Sequence, residues 1–288
     1  MSRMLSIDLQ KDYIAHRWLF HGFILLFLTS LSILVLLPFV WMLIMSLHVP
    51  SYSFVLPPQW FKGGIRWENY ADVFRDVPFA LYMLNSFKVT CIIVFGQVFT
   101  SSLAAYAFAR LHFRGKQTLF LLLLSAMMLP LFVTIIPTFM LIRVLHLTDT
   151  HTSLIVPAMI TPFGIFLLRQ FFLTIPRELE DAAKIDGATP WQIFWIVIVP
   201  LGKPGILVLT ALNFNAHWNE FFRPLIFLNS WEQFTLPLGI VTLRGFMDTG
   251  SISVVLAGIS LAILPVVTVF ILAQRHLFES LVVTGVKG

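Results

Sequence analysis

Charge is scarce in this chain. Asp, Glu, Lys and Arg make up 11% of its 288 residues, against about 25% in soluble domains. With 58% hydrophobic residues, this excludes a globule with a large core and points to a polytopic membrane protein. Cysteine is nearly absent. Cys91 is the only one, so no disulfide framework and no thiolate metal site can form within one chain. The eight histidines show no HExxH or other metal-ligand spacing, and His146 and His151 read as solvated loop residues. No GxxxxGK[ST] occurs, so there is no Walker A loop to cradle ATP. An intramembrane enzyme would need paired aspartates, or serine with histidine, at membrane depth, and neither pattern is present. The net charge of +5 is spread over short loops without a basic stripe, which argues against nucleic acid as a partner. Low-complexity stretches and internal repeats are also lacking, so one domain over 1–288 is the economical reading.

What is present is a set of six apolar runs, at about 20–47, 87–109, 117–142, 152–173, 204–228 and 250–274. A run of this length can cross about 30 Å of hydrocarbon. Helix is the form that satisfies such a backbone in lipid. The predicted class is therefore an all-α polytopic membrane protein with six transmembrane helices. The first run is too long for a signal-peptide core and reads as a retained span.

An even number of crossings puts both termini on one side, and basic short loops identify that side as cytoplasmic. Arg3, Lys11 and Arg17 precede the first run. Arg110, Arg114 and Lys116 follow the second, and Arg177, Lys184 and Lys203 follow the fourth. Segment 48–84 offsets its cations with Glu68, Asp72 and Asp76, so it is placed outside, with WENYADVF as a short amphipathic helix. Pro130, Pro137, Pro157 and Pro162 predict kinks in the third and fourth spans.

Between the fourth and fifth runs lies a polar island, PRELEDAAKIDGATPWQIFWIVIVPLGKP. It holds Glu178, Glu180, Asp181 and Asp186, four of fourteen acidic residues. Pro176 can start a helix, and acidic residues in its first turn suit the positive end of the dipole. Leu179, Ala182 and Ala183 share one face at i, i+3 and i+4, small enough for a partner to approach closely. Asp186-Gly187 is a stop signal. As bare sequence, this could equally be an ordinary solvated loop helix.

The island resembles the cytoplasmic "EAA" loop of ABC importer permeases: Asp181-Ala182-Ala183, then Gly187, then an apolar stretch ending at Pro200. The family's glutamate is an aspartate here. NSFKVT (85–90), AAYAFARLHFRGK (104–116), MMLP (127–130), HWNEFFRPLIFLN (217–229) and TGVKG (284–288) are similar to the carbohydrate-uptake branch, in particular the maltose/oligosaccharide-type subunit with an extended tail. The resemblance runs from about residue 20 to 288. It implies a type I importer permease fold in the cell membrane and transport by alternating access. It also implies a loop over 176–200 that couples to a separate ATPase, through Glu178, Glu180, Asp181, Ala182, Ala183, Asp186 and Gly187. The implied partners are a second permease subunit, two copies of a cytoplasmic ATPase that binds ATP and Mg, and an extracytoplasmic sugar-binding protein, all in membrane lipid. The chain itself would hold no cofactor and catalyse nothing. By the same resemblance the tail 275–288, with Gly285, Lys287 and Gly288, would reach the ATPase interface.

Inside the fifth run, Asn213, His217 and Glu220 are spaced for one helical face, with Asn215 and Asn219 beside it. An ionisable residue in a span usually faces a cavity or a partner. One reading is a polar wall of the translocation path, with Trp218 and Phe221 available to stack on a sugar. The others are interhelical glue and a simple Glu220–Arg223 pair. A permease of the same class for a non-sugar solute such as glycerol phosphate is the alternative function. A secondary transporter would need more intramembrane ion pairs than Glu220 and Arg223 supply.

Overall fold

The computed structural model describes the backbone of residues 2–49, 64–243 and 251–285, and every regular element among them is helical. Among the described residues, three helices are long and apolar enough to cross a bilayer unaided. They are α1 (Ser2–Ser46), α3 (Phe79–Arg110) and α14 (Ile252–Gly285). Each outruns the apolar run that predicts it. The helix α2 (Glu68–Asp76) between α1 and α3 is amphipathic and buries Asn69 and Val73. Asn69 Nδ2 donates to the carbonyls of Ser46 and His48, each at 2.8 Å. That closes the end of α1, where carbonyls have no intrahelical donor.

The third and fourth runs are broken rather than kinked. α4 (Lys116–Ala126) and α5 (Leu131–Val144) meet at 98° across residues 127–130. Pro130 is extended at the N-cap of α5 and cannot continue α4. α6 (His151–Ala158) and α7 (Pro162–Thr174) meet at 41°, with Pro162 in the first turn of α7. The carbonyls this break frees are taken by α3. Gln97 Nε2 donates to Ala158 O at 2.6 Å, and Thr100 Oγ1 to Met159 O at 2.9 Å. A buried break is stable only when such groups find partners.

The fifth run does not form one helix over 204–228. After α8 (Arg177–Ile185), a bent stretch made of α9 (Pro190–Ile193), a π-helical turn (Phe194–Ile198) and α10 (Val199–Leu201) meets α11 (Lys203–Trp218) at 74°. The 16 residues of α11 rise about 24 Å, short of a full crossing. The chain then breaks at 219–221 and resumes as α12 (Phe222–Phe227). Pro224 explains the interruption, since its ring would clash with the carbonyl four residues back in a continuous helix. A 3₁₀ turn and α13 (Leu236–Thr242) lead toward α14.

α11 packs against α3, α7 and α14. Three buried clusters hold the bundle. One joins Val73, Phe79, Tyr82, Trp218 and Ala257. A second, beside the polar island, joins Tyr106, Leu168, Phe172, Ile193, Phe194 and Leu209. The third joins Ile93, Ile142, Leu154 and Phe227. By contrast, Phe20–Ser46 of α1 turns its apolar side chains outward, with Leu26 and Leu34 each 68% exposed. In water that would be untenable, but in lipid it is ordinary.

Candidate functional site

The polar island folds into one helix and one turn. α8 begins after the extended Pro176, with Glu178 and Glu180 in its first turn. Its end is a Schellman closure. Gly187 N–H donates to Lys184 O at 3.0 Å and Ala188 N–H to Ala183 O at 2.9 Å. Gly187 sits at φ +85°, in the left-handed region, where glycine avoids the penalty of a Cβ. Ala183 and Ala188 pack on the cluster around Phe172 and Phe194, which supplies the apolar contact such closures favour.

The other face of α8 is open. Leu179 is 46% exposed and Ile185 87%, with Ala182 exposed between them. Glu178, Asp181, Asp186 and Gly187 are exposed as well. Lys184 Nζ lies 2.8 Å from Asp181 Oδ1. The hydrogen bond from Lys184, and then its charge, hold the Asp181 carboxyl below the usual range. Exposed pairs of this kind contribute little, so a partner cation could take the place of Lys184.

Glu180 departs from the sequence grouping. It is 5% exposed and turns inward, away from the open face. Its Oε1 lies 2.9 Å from Arg110 Nε, close as an ion pair but outside hydrogen-bond alignment. Arg110 Nη2 also donates to the carbonyls of Phe172 and Ile175. Arg110 reads in the sequence as one of several loop cations. Its position directly after an apolar run is the only local hint of burial.

Downstream, Thr189 and Gln192 form a capping box that starts α9. Trp191 and Trp195 on the bent stretch beyond are 57% and 43% exposed.

The polar residues of the fifth run lie on α11 and in the break that follows it. Asn213 is buried, and its Nδ2 has no hydrogen-bond partner among the described residues. Asn219 lies past the helix end and donates to Asn215 O and Oδ1. Glu220 lies just beyond α11, one turn on from His217, with Nδ1–Oε2 at 3.3 Å. His217 Nε2 lies 3.2 Å from Gln97 Oε1, and Glu220 also pairs with Arg223. The result is a part-buried chain from the broken α6–α7 junction through Gln97, His217 and Glu220 to Arg223. Trp218 is not available for stacking on a ligand. It is 2% exposed, lies against Phe214, and donates Nε1–H to Ala262 O at 2.9 Å. Phe221 remains exposed. Gly285 ends α14, and Lys287 and Gly288 lie outside the described residues.

This arrangement, a broken-helix bundle with an exposed loop helix, has clear relatives. The binding-protein-dependent transport system inner membrane component family matches residues 97–282. AraQ, the arabinooligosaccharides transport system permease protein of Halalkalibacterium halodurans, is 38% identical over 77% of this chain and 79% of its own. UgpE, the sn-glycerol-3-phosphate transport system permease protein of Yersinia pestis, is 33% identical over 81% and 85%. Among solved structures, a bacterial ABC transporter involved in the import of the acidic polysaccharide alginate superposes with a TM-score of 0.75 at 25% identity, covering 87% of this chain and 93% of that one. The chain therefore belongs to this family, as a permease subunit of a binding-protein-dependent ABC importer. It is a multi-pass inner-membrane transport subunit, with no catalytic role and no cofactor of its own.

Proposed function

We propose that this permease carries a sugar or oligosaccharide inward, driven by a separate ATPase that grips α8 and the Gly187 turn. The exposed strip Leu179–Ala182–Ile185 carries this reading. Ile185 is 87% exposed on a helix whose opposite face is anchored in the core. An apolar side chain so bare on a polar loop is best explained by a partner surface. Asp181, Asp186 and Glu178 around the strip would meet cations of that partner. Nothing among the described residues crowds Gly187, which leaves room for close approach.

The inferred assembly is a second permease subunit, two ATPase subunits that bind ATP and Mg, and an extracytoplasmic binding protein. Both termini and α8 would face the cytoplasm, as the basic loops require. ATP-driven closure of the ATPase pair would move α8, and the bundle would rock between inward and outward access. The His217–Glu220 chain with Gln97 is the polar element assigned to the path, less directly Asn213 and Asn219. The tail from Gly285 through Lys287 and Gly288 is assigned to the ATPase interface, and deleting 284–288 should lower transport-coupled ATP hydrolysis.

The relation to UgpE supports glycerol phosphate as a second reading. The pairing of Arg223 with Glu220 weighs against it, because that cation is already committed. The test is the purified complex in liposomes, with ATP hydrolysis measured against binding protein loaded with an oligosaccharide or with glycerol phosphate. Stimulation by glycerol phosphate alone would overturn the sugar assignment. Unchanged uptake and assembly in Glu220→Gln would remove the path role of that chain. No cross-link from Ala182→Cys to an ATPase in native membranes would remove the coupling assignment.

A further inference from the structure

Buried charge is rare where a loop meets a bundle, and here it joins three elements at one guanidinium. Arg110 is the last residue of α3, and its side chain is 3% exposed. Its Nη2 holds the carbonyls of Phe172 and Ile175 at the end of α7, where backbone acceptors lack intrahelical donors. Its Nε faces Glu180 of α8 at 2.9 Å, and that carboxylate is 7% exposed. Phe172 and Ile175, whose carbonyls Arg110 holds, belong to the cluster of Tyr106, Ile193 and Phe194, with the Tyr106 and Phe194 rings 5.4 Å apart.

Such a pair is a poor device for stability. Desolvating two charges offsets most of their attraction, and apolar residues of similar size often serve as well. Its distinctive property is direction. Successive helical residues are about 100° apart, so rotating α8 by one position would pull Glu180 off Arg110 and turn Leu179, Ala182 and Ile185 away from their present outlook. Carboxylate and guanidinium therefore index the rotation of α8 against α3 and α7 together. We propose that Arg110 and Glu180 are positioning residues for coupling, a fixed bearing through which α8 passes its displacement to α3 and α7 without touching the ATPase.

The inference rests on the coupling role given to α8, so the experiment separates the two. The complete transporter is reconstituted in liposomes with Ile185→Cys as a cross-linking probe. It is compared with the same protein carrying Glu180→Gln, and with one carrying Arg110→Met and Glu180→Leu together. The double variant removes both charges, so it tests the idea even if Glu180→Gln assembles poorly. The readout is solute transported per ATP hydrolysed by assembled complex, which a loss of assembled protein alone would not move. A fall of about tenfold is expected, within the range for residues between coupled sites. The cross-link from position 185 should weaken or become diffuse. A parental ratio in either assembled variant overturns the proposal and leaves α8 as the coupling element. Absence of any cross-link in the parent instead overturns the coupling role itself, and this inference with it.

Discussion

Gly187 offers the sharpest test of the coupling turn, because its two possible requirements can be separated. Its φ of +85° is a backbone demand. A side chain such as alanine in that region costs about 1–2 kcal/mol, roughly tenfold in the population of the closed turn. Asparagine and aspartate tolerate the region better. The second requirement is space. A Cβ built at Gly187 meets nothing within 4 Å among the described residues, so their packing forbids no side chain there. In the permease alone, Gly187→Asn should therefore be nearly neutral and Gly187→Ala mildly destabilising. Gly187→Asp should insert and fold like Gly187→Asn. In the full complex all three should lose transport if the open space is where an ATPase packs, and Gly187→Asp should lose most. Insertion is checked by membrane fractionation, folding by thermal unfolding in detergent, and transport by uptake into proteoliposomes. Full transport by Gly187→Asp would refute the close-approach argument. Rescue by Gly187→Asn but not by Gly187→Ala would reduce the site to a backbone requirement.

Three further outcomes are expected. A Cβ at Gly239 would lie 2.1 Å from Tyr82 Cδ2, and Tyr82 is 2% exposed. Gly239→Ala should thus cost about 1–3 kcal/mol by overpacking, and an unchanged Tm would contradict the packing. Asp149 accepts from the N–H groups of Asn229 and Ser230 and from the Ser230 hydroxyl. Burial pushes the Asp149 carboxyl up, but these hydrogen bonds outweigh it and hold it below the usual range. A depressed folded value means its stabilisation is present above about pH 4 and is lost as pH falls through the folded value. The parent should lose more Tm on acidification below that point than Asp149→Asn, and equal slopes would refute the assignment. Thr189→Ala should remove the capping box and cost about 1 kcal/mol, seen as faster amide exchange across Pro190–Ile193. Thr189→Ser should restore protection.

Much of the architecture was legible because lipid imposes one-dimensional rules. Long apolar runs, clustered loop cations and the Asp-Ala-Ala…Gly spacing all act within short stretches of chain. The helix breaks were only half legible. Pro130 and Pro162 mark positions where helix is disfavoured, but a bend of 98° rather than a kink depends on what packs against it. Gln97 shows why. Its amide looks like an isolated polar residue in α3 until the carbonyl of Ala158 arrives beside it. Trp218 was ambiguous for the same reason, since an indole reads alike whether it faces a sugar or the Ala262 carbonyl.

By itself, the sequence determined that this is a six-run membrane chain with an aqueous loop helix ended by a glycine turn. These follow from hydropathy and from backbone conformations that neighbouring residues control. Only the tertiary structure decided which side of that helix is free and which is tied down. Arg110 and Glu180 are remote in the chain, and their meeting depends on how α3 and α7 pack. The same holds for Gln97, remote in the chain from His217 yet 3.2 Å from its Nε2. Distant groups pair through burial and the loss of competing water, and no local pattern of residues records that.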